Sequence, residues 1–470
     1  MNIHFAKKSI SLLAVSILTA CAQFGQQAPL EQPTAYSLSD GKTTAAQDAW
    51  WLQLRDRKLN TLVAQAIHTS PDLRMAKARF EQAQAQLGVM GSASKAQIGI
   101  SAQGIGIYAA PKPQSAQSDT NHHLSLANVA LQGSWSFDFW GKNREQLAAG
   151  LGHKQAVLYE AHQARIELAH AVLAQYVAWQ AVSEQSALLA QRLTLAEKIQ
   201  QLVKRRIEAK LMQPEAIYPF ELAQQRLMLE KLSLEQQMTK IQHGLAVLSG
   251  KSPDALAIRE PDKMAAVPML QVGKLRADFL AARPDIAAQK ALLSGKMSTV
   301  KAAEAEFYPN IELKVLAGLA HVDAFNVVRT GVSGMLGVVP ALHLPIFTSG
   351  ALQSKLAGKR AAYNEQVAVY DQTVLNAMRS AADAVAEYQM LQARQPVLER
   401  MVSISEKSVQ TAQAKVKAGL DNGLVTLQRQ DDTLQLKMQM VQQQAAWLIA
   451  WSNVQTQLGG GFHQKIKETM

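Results

Sequence analysis

A single cysteine in 470 residues, Cys21, leaves no partner for a disulfide and no set of thiolates for a structural metal centre. Glycine and proline are also scarce, 26 and 15, together about 9% of the chain against roughly 12% in ordinary proteins. So few breakers favour long helices over many short strands. No apolar run reaches the roughly 20 residues of a membrane-spanning helix, and the stretch Ile10 to Ala20 falls well short of it. Acidic residues are outnumbered 37 to 48, a net charge of +11. That balance raises the question of nucleic acid, but no recognition module is present and an exported chain does not ordinarily meet it. Length alone suggests about three domains at roughly 150 residues each.

The first twenty residues read as an export signal, with Lys7 and Lys8 as the basic region and Ile10 to Ala20 as the apolar one. They run into Leu18-Thr19-Ala20-Cys21, which resembles the lipobox of bacterial lipoproteins, where the cysteine sulfur carries a diacylglycerol. The one cysteine stands at the one place that motif requires. The alternative is ordinary cleavage at Ala20-Cys21-Ala22, which leaves a soluble periplasmic protein. In lipoproteins an Asp after the cysteine retains the protein in the inner membrane; Ala22 stands there instead, which implies the outer membrane. Residues 1–20 are then the signal peptide. Residues 21–48 form a lipidated tether, flexible by its content of Gln, Pro, Ser and Thr.

Internal similarity replaces the three-domain expectation with another. Ser70-Pro71-Asp72-Leu73 recurs as Arg283-Pro284-Asp285-Ile286. Ser136-Phe137-Asp138-Phe139-Trp140-Gly141 has a counterpart in Leu344-Pro345-Ile346-Phe347-Thr348-Ser349-Gly350, and Ala209-Lys210-Leu211 in Ala418-Gly419-Leu420. Three weak matches in one order at a nearly constant offset indicate duplication. The first repeat is 49–250, the second 283–458, and the linker between them, 251–282, carries Pro253, Pro261 and Pro268; a tail covers 459–470.

Each repeat predicts one very long helix, about 142–209 and about 350–418. The first has no proline and glycine only at 150 and 152; at 1.5 Å per residue it reaches about 100 Å. Pro396 predicts a kink in the second. Leu168, Val172, Tyr176, Trp179, Val182 and Leu189 fall at helical spacing, and Leu188, Leu195 and Leu202 make a second stripe. A helix with two narrow seams has neighbours on both flanks. Four stretches break the helical period, about 97–108, 124–139, 311–319 and 332–346, and they alternate as two strand hairpins. Alternation fits a soluble sheet as well as strands of membrane length. Four strands cannot close a membrane barrel, since the smallest have about eight and an open edge strands polar backbone in lipid. If these strands span a membrane, several chains share one barrel.

Enzyme-like fragments are isolated. Gly104-Ile105-Gly106-Ile107-Tyr108-Ala109 fits GxGxxA, but Pro111 and Pro113 follow where a helix should start. Ser92-Ala93-Ser94-Lys95 lacks the companion motifs of penicillin-recognising enzymes. His122-His123 has no spaced third ligand, and the 16 methionines, scattered along helices, suit packing. The expectation is a non-enzyme without metal or other cofactor.

Taken as an ordered set, these residues resemble the outer-membrane factor family, the TolC-like exit ducts of tripartite efflux pumps, and most of all its lipoprotein branch. The resemblance rests on Trp50-Trp51 with Asp56, Leu59 and Leu62, on Pro71-Asp72-Leu73, and on Ser134-Trp135 with Asp138, Phe139 and Gly141. It continues through Arg283-Pro284-Asp285-Ile286, Phe307-Tyr308-Pro309-Asn310-Ile311, Leu344-Pro345-Ile346-Phe347 with Gly350, and Leu458-Gly459-Gly460-Gly461-Phe462. It implies a mainly α fold with β: a homotrimer whose four strands per chain make a twelve-stranded outer-membrane barrel, continued by long helices into the periplasm. It also implies passive export of drugs or other small molecules, with a periplasmic membrane-fusion adaptor and an inner-membrane transporter as partners and outer-membrane lipid around the barrel. A type I protein-secretion exit and a coiled-coil structural lipoprotein are the alternatives. The adaptor would dock at the hairpin tips, through Lys210, Leu211, Gly419, Leu420, Asp421 and Asn422. Relatives narrow the mouth with Asp residues after the second tip; Val425 and Gln428 stand at those positions here. The gate candidates are therefore Gln428, Arg429, Asp431 and Asp432. The first repeat departs from the pattern where Ser94-Lys95-Ala96-Gln97 replaces Tyr308-Pro309-Asn310.

Overall fold

The structure is a computed structural model that describes residues 24–34, 48–109, 122–255, 260–270, 283–324 and 328–462. The signal peptide and Cys21 lie outside the described residues, as do the side chains of His122 and His123. The helices are α1 (Arg57–Thr69), α2 (Pro71–Ser92), α3 (Lys142–Glu208), α4 (Tyr218–Leu248), α5 (Pro284–Ala305), α6 (Ala351–Lys417) and α7 (Leu424–Gln457). The strands are β1 (Gln97–Ala109), β2 (His122–Phe137), β3 (Asn310–Ala324) and β4 (Val328–His343). The fold is mainly helical, with one antiparallel sheet in the order β1-β2-β3-β4.

The duplication is written in the backbone more legibly than in the side chains. α3 and α6 are both 67 residues long. Each is preceded by a left-handed glycine, Gly141 (φ 77°) and Gly350 (φ 83°), 209 residues apart. Each ends in the same paired turn. Lys210 N–H donates to Ile207 O and Leu211 N–H to Arg206 O; 209 residues later Gly419 donates to Val416 O and Leu420 to Lys415 O. The helices after the tips close alike too, at Gly250 (φ 69°) and Gly459 (φ 89°). These are Schellman closures, which satisfy the last carbonyls of a helix through one left-handed residue.

Several boundaries depart from the periodicity, each for a local reason. β2 stops at Phe137 because the Asp138 carboxylate accepts from Asn143 N (2.9 Å) and Arg144 N (2.8 Å), capping the start of α3. β4 stops at His343, before Pro345, which has no N–H to give a ladder. β3 runs on to Ala324 and β4 begins at Val328, so the second hairpin is longer than its alternation indicated. Pro396 lies inside an unbroken α6, and one turn earlier the buried Gln443 amide donates to Leu391 O at 2.8 Å. Gly104 to Ala109 is strand, not the loop before a nucleotide-binding helix. Among the described residues no helix is long and apolar enough to cross a membrane, and no group of acidic, His or Cys side chains could hold a metal.

The chain divides into two compact units. Unit one contains the sheet with residues 24–33, 80–157 and 289–371. Its helical core packs Leu293, Val300 and Phe307 of the α5 segment against Leu356, Tyr363 and Val367 of α6. Gly152 and Gly295 let α3 and α5 approach so closely that a Cβ at residue 152 would stand 2.7 Å from Ala291 O. The start of the expected tether is not free here. Phe24 meets the Phe307 ring edge-on (4.9 Å), Arg360 donates to Ala28 O, and Asn364 donates to Pro29 O and accepts from Glu31 N. Residues 24–31 are a strap laid on α5 and α6.

Unit two holds residues 48–79, 158–288 and 372–462 among those described. Its core gathers Trp50, Leu59, Leu62, Tyr176, Trp179, Tyr388 and Trp451. At its centre Asp56 caps α1 at Leu59 N (2.9 Å) and also receives Tyr176 Oη (3.3 Å) and Gln180 Nε2 (3.2 Å). Burial, with the neighbouring Asp56 and Asp262 carboxylates, holds the Tyr176 phenol well above the ordinary tyrosine range.

Candidate functional site: the helical tips, the α7 stripe and the two faces of the sheet

The tips are built by the Schellman turns, which fix what each residue there can do. Leu211 and Leu420 occupy the same position in the two turns and are 69% and 78% exposed, two apolar knobs. Lys210 and Gly419 are the left-handed residues beneath them. Asp421 and Asn422 spend their side chains locally: Asp421 accepts from Asn422 N, and Asn422 Oδ1 accepts from Leu424 N at 3.0 Å, before the left-handed Gly423 starts α7.

The four gate candidates separate into two pairs. Gln428 and Asp432 are exposed on α7, in a stripe with Val425, Gln435, Gln439 and Gln442 at alternating spacings of three and four. Arg429 and Asp431 point elsewhere and are held within the chain. Arg429 donates to Ser408 O (3.3 Å) and Ser408 Oγ (2.6 Å) on α6. Asp431 is gripped in bidentate fashion by Arg192 of α3, Nε to Oδ1 at 2.8 Å and NH2 to Oδ2 at 3.0 Å. Arg192 also lies 3.6 Å from Glu230 of α4, so one guanidinium ties three helices. Burial works against its charge, but the Asp431 hydrogen bonds, followed by the charges of Asp431, Glu230 and Asp432, outweigh it and hold the guanidinium even more firmly protonated.

Arg192 was not among the residues singled out from the sequence. A signal existed: it interrupts the flank of a stripe otherwise made of Leu188, Leu189, Leu193 and Leu195, and a charge there needs a partner. Further ties between α6 and α7 are Ser405 to Thr433 (2.7 Å) and Glu406 to Lys437 (2.8 Å). An open cavity of about 580 Å³ lies along α3, α6 and α7, lined by Gln191, Lys198, Gln410, Gln430 and Leu434 among others. Apolar residues stand partly exposed on two of the helices, Leu222, Leu229 and Leu232 on α4, and Val397, Met401 and Ile404 on α6.

In the sheet, register assigns the described side chains to faces. One face presents Ile98 and Ile100 of β1, Val129, Leu131 and Trp135 of β2, Leu313, Val315 and Leu319 of β3, and Leu336, Val338 and Leu342 of β4. Over the same rows the other face is mixed, with Gln97, Ser101, Gln132, Ser134, Glu312 and Lys314 beside Leu316, Met335 and Val339. From Ile311 to Leu319 the apolar band runs about 26 Å along β3 at 3.3 Å per residue, which at the roughly 35–45° tilt of barrel strands is about 20 Å of height, comparable to the lipid-facing belt of about 25 Å. At its base Trp140 stacks on Tyr308 (4.7 Å) and donates to Pro309 O, and Phe139 stacks on Phe137. Such a cluster of aromatic rings suits a membrane–water boundary. The outer strands β1 and β4 each pair on one side only.

Known proteins share this arrangement over nearly its whole length. Residues 62–246 and 275–460 match the family model described as outer membrane efflux protein, in two segments that follow the duplication. The chain is 27% identical to the multidrug resistance outer membrane protein MdtP of Escherichia coli K12, covering 96% of this chain and 95% of that one. The crystal structure of the outer membrane protein VceC from Vibrio cholerae is 26% identical, with a TM-score of 0.76, and covers 89% of this chain and 100% of its own. The fold is shared with the CmeC outer membrane channel of Campylobacter jejuni, at 18% identity and a TM-score of 0.81 over 94% of this chain and 96% of that one. With both repeats matched and the four-stranded sheet and long helices in place, the chain belongs to the outer membrane efflux protein family.

Proposed function

We propose that the protein is the passive exit duct of a tripartite efflux pump, formed by three copies of this chain, and that it acts by conduction without catalysis or cofactor. The observation that carries the reading is the four-stranded sheet with an apolar face and two unpaired edges. In lipid an open edge leaves a row of backbone groups unsatisfied at several kcal/mol each. Pairing β1 of one copy with β4 of the next removes every edge, and three copies give twelve strands. The partly exposed seams on α4 and α6 are then contacts between copies, continuing the wall as a tube of helices.

In this reading Cys21 carries the lipid. It stands three residues before Phe24, which packs on Phe307 just ahead of β3. The tips, with Leu211 and Leu420 exposed above Lys210 and Gly419, receive the periplasmic adaptor. Gln428 and Asp432 line the narrow part of the mouth, while Arg429 and Asp431 hold α7 in place. The cargo is drugs or similar small molecules delivered by an inner-membrane transporter, a reading supported by the multidrug resistance name of MdtP.

The test is assembly and conduction together. Detergent-extracted protein should run as a trimer that dissociates only on heating and should pass ions in planar bilayers. A monomer that conducts nothing, or that stays soluble without detergent once Cys21→Ser removes the lipid, would sink the duct.

A further inference from the structure

The apolar side of the sheet changes face part-way along the strands, although the pleat does not. Register is unbroken through β1–β2 and β2–β3, so each side chain's side is fixed by counting. Leu316, Met335 and Val339 of β3 and β4 aside, the large apolar residues up to the row Gln103–Asn128–Ala320 lie on the face described above as the lipid belt. Beyond that row they move to the opposite face: Ile105 pairs with Leu126 and Leu126 with Val322, and Ile107 pairs with Leu124. Over those same rows the former apolar face carries Ser125, Ala127, His321 and Asp323. Ile105 and Ile107 remain 55% and 52% exposed, and Leu126 38%.

We infer that these five residues, repeated in three copies, form an apolar collar on the lumen side of the duct's outer end, which receives the apolar part of an exported organic molecule and resists hydrated ions. The inference rests on the trimeric-barrel reading. If the lower band faces lipid, the opposite face is the lumen, and residues beyond the band on that face point to the shared axis. The polar residues on their outer side then face water above the bilayer. An apolar wall in a narrow pore disfavours ion hydration shells while offering contact to apolar solutes. The cargo class is thus amphipathic organic molecules rather than free ions.

The collar is tested in planar bilayers with potassium chloride as carrier and tetraphenylphosphonium as the amphipathic probe. Ile105→Thr with Leu126→Thr places a β-branched side chain that suits a strand at each site and makes the wall polar. Potassium conductance should rise about twofold or more, and tetraphenylphosphonium block should weaken about tenfold. Unchanged conductance and unchanged block in a variant that assembles as a trimer would overturn the collar while leaving the duct intact. If the double variant fails to assemble, Ile107→Thr alone carries the same measurement. A wild-type chain that forms no trimer and passes no current would overturn the barrel, and the collar with it.

Discussion

Lys210 and Gly419 occupy the same backbone position, 209 residues apart, and both are left-handed, at φ 58° and 70°. Glycine adopts that conformation without cost, whereas a residue with a Cβ is strained there by about 1–2 kcal/mol. Lys210→Gly should therefore stabilise the chain by about 0.5–1 kcal/mol, and Gly419→Ala should destabilise it by about 1 kcal/mol. Thermal unfolding of the detergent-solubilised protein measures both. Opposite shifts of the midpoint are expected; shifts of the same sign would contradict the shared turn.

Arg192 and Asp431 should show strong coupling. A double-mutant cycle with Arg192→Met and Asp431→Leu is expected to give about 1–3 kcal/mol of interaction energy, in line with a bidentate pair that is largely out of solvent on the arginine side. A value near zero would mean that the pair does not hold α7.

Two histidines set an acid limit. His170, beside Ser452 Oγ at 2.6 Å, is pushed below the ordinary value of about 6.5 by burial; His162 is lowered by burial and then by Arg165, against Asp48. The unfolded chain therefore takes up protons first. Stability contributed by the neutral rings is present above about pH 6.5 and is lost as the pH falls towards their folded values. His170→Gln should flatten the slope of unfolding free energy below about pH 6.5; an unaltered slope would assign it to other groups.

Lipidation predicts a simple chemical signature. Cells given labelled palmitate should mark the wild-type protein and not Cys21→Ser, and the mature mass should exceed that of residues 21–470 by a diacylglycerol and, after full processing, one further acyl chain. Equal labelling of the two proteins would remove Cys21 as the anchor.

The exposed α7 stripe predicts ion preference at the mouth. Asp432→Lys should shift the reversal potential in a salt gradient towards anions, while Arg429→Gln, whose guanidinium is spent on Ser408, should leave it nearly unchanged. The reverse ranking would place the lumen on the other side of α7.

The parts of this fold that were legible from composition and spacing are those whose cause is local or periodic. The 67-residue helices declare themselves through the scarcity of breakers, and the repeat through Pro71 and Pro284, Gly141 and Gly350. The strands were visible by alternation, but their ends were set by Asp138 turning into a helix cap and by Pro345 leaving the ladder. The division of the gate candidates was not readable, because exposure of Gln428 and capture of Asp431 depend on which helix faces α7 across more than two hundred residues of chain. The same holds for the strap, where Asn364 and Arg360 claim carbonyls of a segment whose composition speaks of flexibility. The change of face in the sheet requires knowing that Gln103, Asn128 and Ala320 share a row.

The two unpaired sheet edges also carry a genetic consequence. On the proposed closure each copy must offer a sound β1 to one neighbour and a sound β4 to the other, so one faulty copy spoils the ring it enters. A cell making equal amounts of wild-type protein and an edge-defective variant would complete only about one ring in eight from wild-type chains alone. Edge mutations should therefore behave as dominant, raising drug sensitivity even beside an intact gene, whereas changes that prevent export of the chain should be recessive.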